Sequence, residues 1–459
     1  MTRRINFGEN GSIVLLLFLG VLLGALDISV VGPAIPAIEN SIQLNGQDIS
    51  RIFTAYLLFH LFGIPLMSKL SDIHGRKMVY IASIAIFSIG SLLVAASNNL
   101  TLLLVGRAIQ GFGSSGIFPV AAATIGDVMP FEKRGKALGL LGGVYGIAFI
   151  IGPIIAGTVL HFFSWQFLFL INLPISLVLI YYSYKLLPGK LPGKKAVINW
   201  KSLFLLIVGL GSFSLGLNNF NVDQIGISLI SKSVLPFLLL VVIFTPLLIM
   251  NERKQENAFF NPDIFKSKQL RLTILIAFGL GIFQSSIVFL PKMAVLFFNV
   301  LPSKASFMLL PLVLSTAIIP PISGRLLDSI GSRIIIYTGL IIALISLFLL
   351  SIVTKNIILF YAAEAGLGIG ISIRASLKYI LINEMNLKDR AISLGMLLIF
   401  INIGQITGAA LIGSIISGSM GEAIGFGHAF LFLSMITAGL ALLAFFLKKR
   451  NIELVRNKS

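Results

Sequence analysis

Ser68-Lys69-Leu70-Ser71-Asp72-Ile73-His74-Gly75-Arg76-Lys77 is echoed far down the chain by Gly324-Arg325-Leu326-Leu327-Asp328-Ser329-Ile330-Gly331-Ser332-Arg333. A basic residue, Leu, Asp, Gly and a second basic group recur at the same offsets. Each decapeptide interrupts two apolar runs about twenty residues long, the length needed to cross a bilayer as an α-helix. Reading outward between charged and Pro/Gly breaks gives fourteen such runs. They lie at about 12–35, 50–70, 77–97, 100–124, 136–160, 166–187, 202–220, 231–250, 270–291, 303–327, 334–353, 356–378, 391–416 and 427–447. The echoed loops fall between runs 2 and 3 and between runs 10 and 11. The alternative is chance similarity of two basic turns. The match in both offset and helix position instead predicts an all-α polytopic membrane protein made of two pseudo-repeated six-helix bundles (helices 1–6 and 9–14) with an inserted two-helix hairpin. The corresponding segments are 1–190, 191–265 and 266–459. A parallel repeat of this kind is the architecture of transporters that rock two halves around a central site.

Composition agrees. The chain is 57% hydrophobic and 11% charged, whereas soluble domains carry about 25% charged residues; this excludes an ordinary cytosolic enzyme. The net charge of +18 would suggest nucleic acid in a soluble protein, but here it follows from the flanks of membrane helices. With Arg3 and Arg4 placed inside, the outer connections hold only Arg51, Lys232, Lys292, Lys304 and Lys355. Arg107, Arg374 and Lys378 fall within or at the edge of spans, and every other basic residue lies on the inner side. That bias predicts an even number of spans and both termini in the cytoplasm. The first run is too long for a secretory signal, carries Asp27 and leads into thirteen more, so it is expected to remain as helix 1. Zero cysteine and four scattered histidines argue against disulfides, iron–sulfur clusters and metal cages. No Walker-type phosphate loop occurs, which argues against direct ATP drive. No cofactor is expected.

The charged residues inside spans carry the functional reading. Asp27 lies roughly 6 Å beyond the midpoint of helix 1 at 1.5 Å per residue, on a face shared with Gly20 and Gly24. Intramembrane acids usually face a cavity or a partner, and one poised between burial and a nearby cation can gain and lose a proton; the alternative is a static ion-pair or packing role. Arg107 lies roughly 9 Å beyond the midpoint of helix 4, at a similar depth, so Asp27 is its expected acceptor; the alternative is snorkelling to the surface. Glu364 in helix 12, beside Gly366, Gly368 and Gly370, is a second proton site, a counter-ion for a cationic substrate, or a packing residue near the interface. Tyr56, His60, Gln110, Gln284, Asn402 and Gln405 are substrate-cavity candidates, with interhelical hydrogen bonding as the competing explanation. Asp72, Gly75, Arg76 and Lys77, with Asp328 and Arg333 in the repeat, form a candidate conformational latch or a solvated basic turn. Glycines 139, 143, 146 and 157 and Pro153 in helix 5 are expected to permit close helix approach and a bend. Thirty-six Phe predict a greasy cavity, although most must face lipid or neighbouring helices.

Taken together, these residues resemble the major facilitator superfamily, specifically its fourteen-helix drug/proton antiporter branch. Lys69–Lys77 resembles the signature between helices 2 and 3, with Ser68 in place of the usual opening glycine. Leu26-Asp27-Ile28-Ser29-Val30-Val31 followed by Ala34-Ile35-Pro36 resembles the helix 1 motif, with Gly32 in place of Asn. Arg107-Ala108-Ile109-Gln110-Gly111 resembles the helix 4 motif, and Trp165 with Asn172-Leu173-Pro174 the start of helix 6. Gly146, Gly152-Pro153 and Gly157 resemble the helix 5 motif associated with antiporters. The resemblance implies a proton-coupled exporter of lipophilic small molecules, cationic ones included, working by alternating access in the cell membrane as a monomer, with protons and lipids as its other partners. Rival expectations are a proton-coupled importer on the same scaffold, a lipid-precursor transporter, and a proton-channel subunit of a redox complex. The near absence of deep lysines argues against the last.

Overall fold

The computed structural model describes residues 7–189, 198–220, 225–255, 267–353, 355–385 and 390–448, the side chains at 7–10, 131, 132, 328 and 390–392 lying outside that description. Among the described residues fourteen helices are long and apolar enough to cross a membrane. They are α1 (Gly11–Ile42), α2 (Gly46–His74), α3 (Arg76–Ala95), α4 (Leu100–Val128), α5 (Lys133–Phe162), α6 (Phe167–Leu186) and α7 (Trp200–Asn218). The series continues with α8 (Leu235–Glu252), α9 (Lys268–Val288), α10 (Pro302–Leu327), α11 (Ser332–Ile352), α12 (Ile357–Glu384), α13 (Ser393–Gly418) and α14 (Glu422–Ala444). Each corresponds to one of the fourteen apolar runs.

Local chemistry sets several ends. Asn45 and Asp48 cap α2 reciprocally: the Asp48 amide donates to Asn45 Oδ1 (2.9 Å) and the Asn45 amide to Asp48 Oδ2 (3.2 Å), the two-sided arrangement of a capping box. Asn99 and Asn356 cap α4 and α12 through their side-chain oxygens. α1 runs through Pro33 and Pro36 to Ile42, seven residues past its predicted end, and stops where Gln43 turns left-handed at φ 57°. Prolines are tolerated in such helices because neighbours re-satisfy the freed carbonyls.

Packing divides the chain into two compact units, Met1–Leu44 with Ala55–Leu203 and Asn45–Thr54 with Phe204–Ser459. Within the first, α1 packs on α5 and α6, and α3 on α4 and α6. Within the second, α9 packs on α13 and α14, and α11 on α12 and α14. The second pattern is the first shifted by eight helices, six for the bundle and two for the inserted α7–α8 pair. From Phe204 onward that pair falls in the second unit. Only 6% of the apolar window of α8 is buried inside the structure, so its surface is left for lipid.

The echoed loops are equivalent in backbone as well as sequence. Gly75 (φ 96°, ψ 149°) opens α3 and Gly331 (φ 83°, ψ 161°) opens α11. A side chain is strained in that region by roughly 1–3 kcal/mol. Gly75→Ala and Gly331→Ala are each expected to lower unfolding stability by that amount, measured by thermal unfolding in detergent. Losses below about 0.5 kcal/mol would contradict the strain argument.

The helix 5 glycines require a correction. A Cβ built on Gly139, Gly143 or Gly146 meets nothing within 4 Å, so these three do not mediate close packing within their unit. Gly152 does, its missing side chain being replaced by Ser29 of α1. Ser29 Oγ bridges the same two helices by donating to the Ala148 carbonyl (3.0 Å).

Candidate functional site

Five helices of the first unit converge on Asp27. Arg107 Nη1 on α4 donates to Asp27 Oδ2 at 2.9 Å. Gln110 Nε2, one turn further along α4, donates to Oδ1 at 2.5 Å, and Asn172 Nδ2 on α6 reaches the same oxygen at 3.2 Å. Ser91 Oγ on α3 accepts from both amides, at 2.8 Å from Gln110 and 3.2 Å from Asn172. Arg107 Nη1 also donates to Gln110 Oε1 (2.5 Å), and its guanidinium carbon lies 4.2 Å from the ring centroid of Tyr56 on α2. Asp27 and Arg107 are each 1% exposed, so neither snorkels. An ion pair at this depth holds only if the remaining lone pairs and protons find partners; the amides of Gln110 and Asn172 supply them for the carboxylate, whereas Arg107 Nε is buried without a hydrogen-bond partner among the described residues.

The local fold explains how these groups meet. α3 and α4 approach closely because Gly90 and Gly113 leave no side chain where the Gln110 and Phe87 backbones pass. α6 is interrupted at Ile171, between helical Phe167–Leu170 and Asn172–Leu186. Asn172 therefore opens a new helical segment, with Pro174 in the first turn, where its missing N–H costs no helical bond.

Tyr56 separates this network from a small cleft lined by Gly24, Ile28, Tyr56, His60, Ser114 and Tyr145. Tyr56 stacks on His60 (centroids 5.9 Å apart, planes 9° apart), and His60 Nδ1 lies 2.9 Å from Ser114 Oγ. The cleft has only about 10 Å³ of free space, far below the roughly 300–1,000 Å³ of drug-sized sites, so in this conformation it is closed to a drug-sized ligand.

The structure sorts the remaining candidates. Tyr56 and His60 line the cleft, whereas Gln110 is wholly committed to the charge network. Gln284, Asn402 and Gln405 belong to the second unit. Glu364, also there, is fully buried, and neither of its oxygens has a hydrogen-bond partner among the described residues. In the loop after α2, Arg76 binds Asp72 (2.5 Å) and Asp127 at the end of α4 (2.9 Å). Lys77 is not part of that ion-pair cluster; its ammonium lies over Tyr184 of α6. Arg333 stacks over Phe445 at 4.5 Å, and the Asp328 side chain lies outside the described residues. Sequence reading singled out neither Asn172 nor Ser91 as a site residue, nor Asp127 as part of the latch. Asn172 was signalled only by the Asn-Leu-Pro motif. No group of three or more His, Cys, Asp or Glu among the described residues is arranged to hold a metal.

The model of the Major Facilitator Superfamily matches residues 17–319. Over 84% of the chain and 76% of the relative, the sequence is 30% identical to the uncharacterized MFS-type transporter YfiU of Bacillus subtilis. It is 28% identical to the multidrug transporter protein MdtP of the same organism, covering 89% of the chain and 75% of the relative. Among solved structures, the nucleoside transporter NupG superposes with a TM-score of 0.69 at 15% identity, over 96% of this chain and 100% of that one; at that identity the likeness speaks for the fold.

Proposed function

The chain belongs to the Major Facilitator Superfamily, a family of non-enzymatic transporters, and from that premise we propose that it is a proton-coupled antiporter that exports lipophilic small molecules, cationic ones included. The observation that carries the reading is the buried Asp27–Arg107 pair at the meeting point of five helices. The export of drug-like compounds rests on relatives named as a multidrug transporter and a multidrug resistance protein.

Asp27 is the proton carrier. Unprotonated, its carboxylate accepts from Arg107, Gln110 and Asn172. Protonation removes the charge that holds Arg107, whose guanidinium retains Gln110 Oε1 and the face of Tyr56. Because Tyr56 is also a wall of the cleft, a shift of Arg107 reshapes the surface that meets substrate. Substrate and proton thereby disfavour one another, and the coupling is reciprocal. The two six-helix bundles, with α7–α8 inserted, act as the alternating halves. Arg76 with Asp72 and Asp127 latches one conformation, and breaking that latch shifts the balance of states without abolishing binding. Both termini face the cytoplasm of a cell membrane.

The test uses purified protein in proteoliposomes under an imposed proton gradient. Addition of a lipophilic cationic dye is expected to produce proton movement opposite to dye movement, and an uncoupler is expected to stop uphill dye transport. Dye accumulation that continues unchanged after the gradient is collapsed would remove the antiport reading. Proton movement in the same direction as the dye would replace export by symport.

A further inference from the structure

We propose that a groove at the ends of α2, α3 and α6 binds the headgroup of an anionic phospholipid. The groove offers about 260 Å³ of space, open to the surroundings, and its walls include His74, Lys77, Met78, Ile81 and Tyr184. It is distinct from the Asp27 network, and the inference rests on the membrane-spanning fold without depending on export or antiport.

Charge selects the ligand. Asp72, two residues before His74, and Asp127 are both already engaged by Arg76. Lys77 has no ion-pair partner among the described residues; its ammonium sits 4.4 Å from the centroid of the Tyr184 ring. No acid among the described residues lines the groove. A phosphate finds a full positive charge and the His74 ring there, while the ammonium of a zwitterionic headgroup finds no carboxylate. Basic pockets between transmembrane helices are suited to such headgroups.

The apolar wall selects a lipid over free phosphate. Met78 is 65% exposed, and Ile81 lies one turn further along α3, so an acyl chain leaving the headgroup has a surface to follow. Tyr184 supplies an amphipathic ring, of the residue type enriched at membrane–water interfaces.

Native mass spectrometry of delipidated full-length protein, given equal phosphatidylglycerol and phosphatidylcholine, tests the assignment. Wild type is expected to retain phosphatidylglycerol in preference. Lys77→Gln is expected to reduce that retention about fivefold, the effect of one basic side chain at an anionic surface. Lys69→Gln, a charge-matched control that does not line the groove, is expected to leave it unchanged, as is Lys77→Arg, which keeps the charge. Inorganic phosphate at millimolar concentration is expected not to displace the lipid. Equal retention of the two lipids, an equal loss in Lys69→Gln, displacement by phosphate, or loss of lipid in Lys77→Arg would each overturn the proposal.

Discussion

Asp27→Asn is expected to abolish proton-driven efflux and to lower unfolding stability by about 3–5 kcal/mol, the cost of leaving a buried charge without its partner. The amide keeps the shape of the carboxylate and presents one oxygen to Arg107, but it has no charge to offset the guanidinium. Its NH2 group also opposes the donors of Gln110 and Asn172, which now meet at Asp27 Oδ1. Arg107→Leu is expected to cost a similar amount, for the converse reason. Asp27→Leu combined with Arg107→Leu separates stability from coupling. Replacing both members of a buried pair by apolar residues is often neutral or stabilising, so the double variant is expected to unfold close to wild type while transport stays lost. Thermal unfolding in detergent and efflux from membrane vesicles read the two quantities independently. If the double variant remains as unstable as the single ones, the pair does not act as an isolated charge couple. If Asp27→Asn pumps at the wild-type rate, another group carries the proton.

How far this network was legible in the sequence depends on the distances involved. Span count and the repeat follow from local pattern: apolar length, two echoed loops and the bias of basic residues. The Asp27–Arg107 contact was also within reach, because rise per residue fixes depth along a helix and a buried arginine needs an acceptor. Asn172 was not, since an uncharged amide near the start of a helix demands no partner and reads equally well as a packing or capping residue. The helix 5 glycines mislead for a related reason. Small residues permit close approach, but whether a neighbour occupies that face is decided by tertiary packing, and beside Gly139, Gly143 and Gly146 no atom lies within 4 Å of a built Cβ. The latch differs in the same way: Asp72 and Arg76 are four residues apart in one short loop motif and readable, whereas Asp127 reaches Arg76 from the far end of another helix.

Glu364→Leu is expected to raise unfolding stability by about 1–3 kcal/mol, the penalty released when a buried polar group without partners is removed, and to reduce efflux of cationic dyes tenfold or more. The contrast with Asp27 motivates both expectations. Asp27 is met by an arginine and two amides, whereas both oxygens of Glu364 are buried without a hydrogen-bond partner among the described residues. Its surroundings offer little compensation: Phe360, one turn away, packs edge-on against Phe298 (centroids 5.3 Å apart), and Gly366 and Gly370 close the approach to α11. A carboxyl kept at that cost is most simply understood as waiting for a group that arrives during the cycle, and a cationic substrate fits that chemistry. Neutral lipophilic substrates should then be pumped by Glu364→Leu within about twofold of wild type, because tenfold discrimination corresponds to only about 1.4 kcal/mol of lost attraction, well within what one buried charge contributes. If neutral and cationic substrates lose transport equally, Glu364 serves proton coupling and the engine has an acid in each half. If the variant unfolds more readily than wild type, the carboxyl has partners in the membrane and the basis for its selectivity disappears.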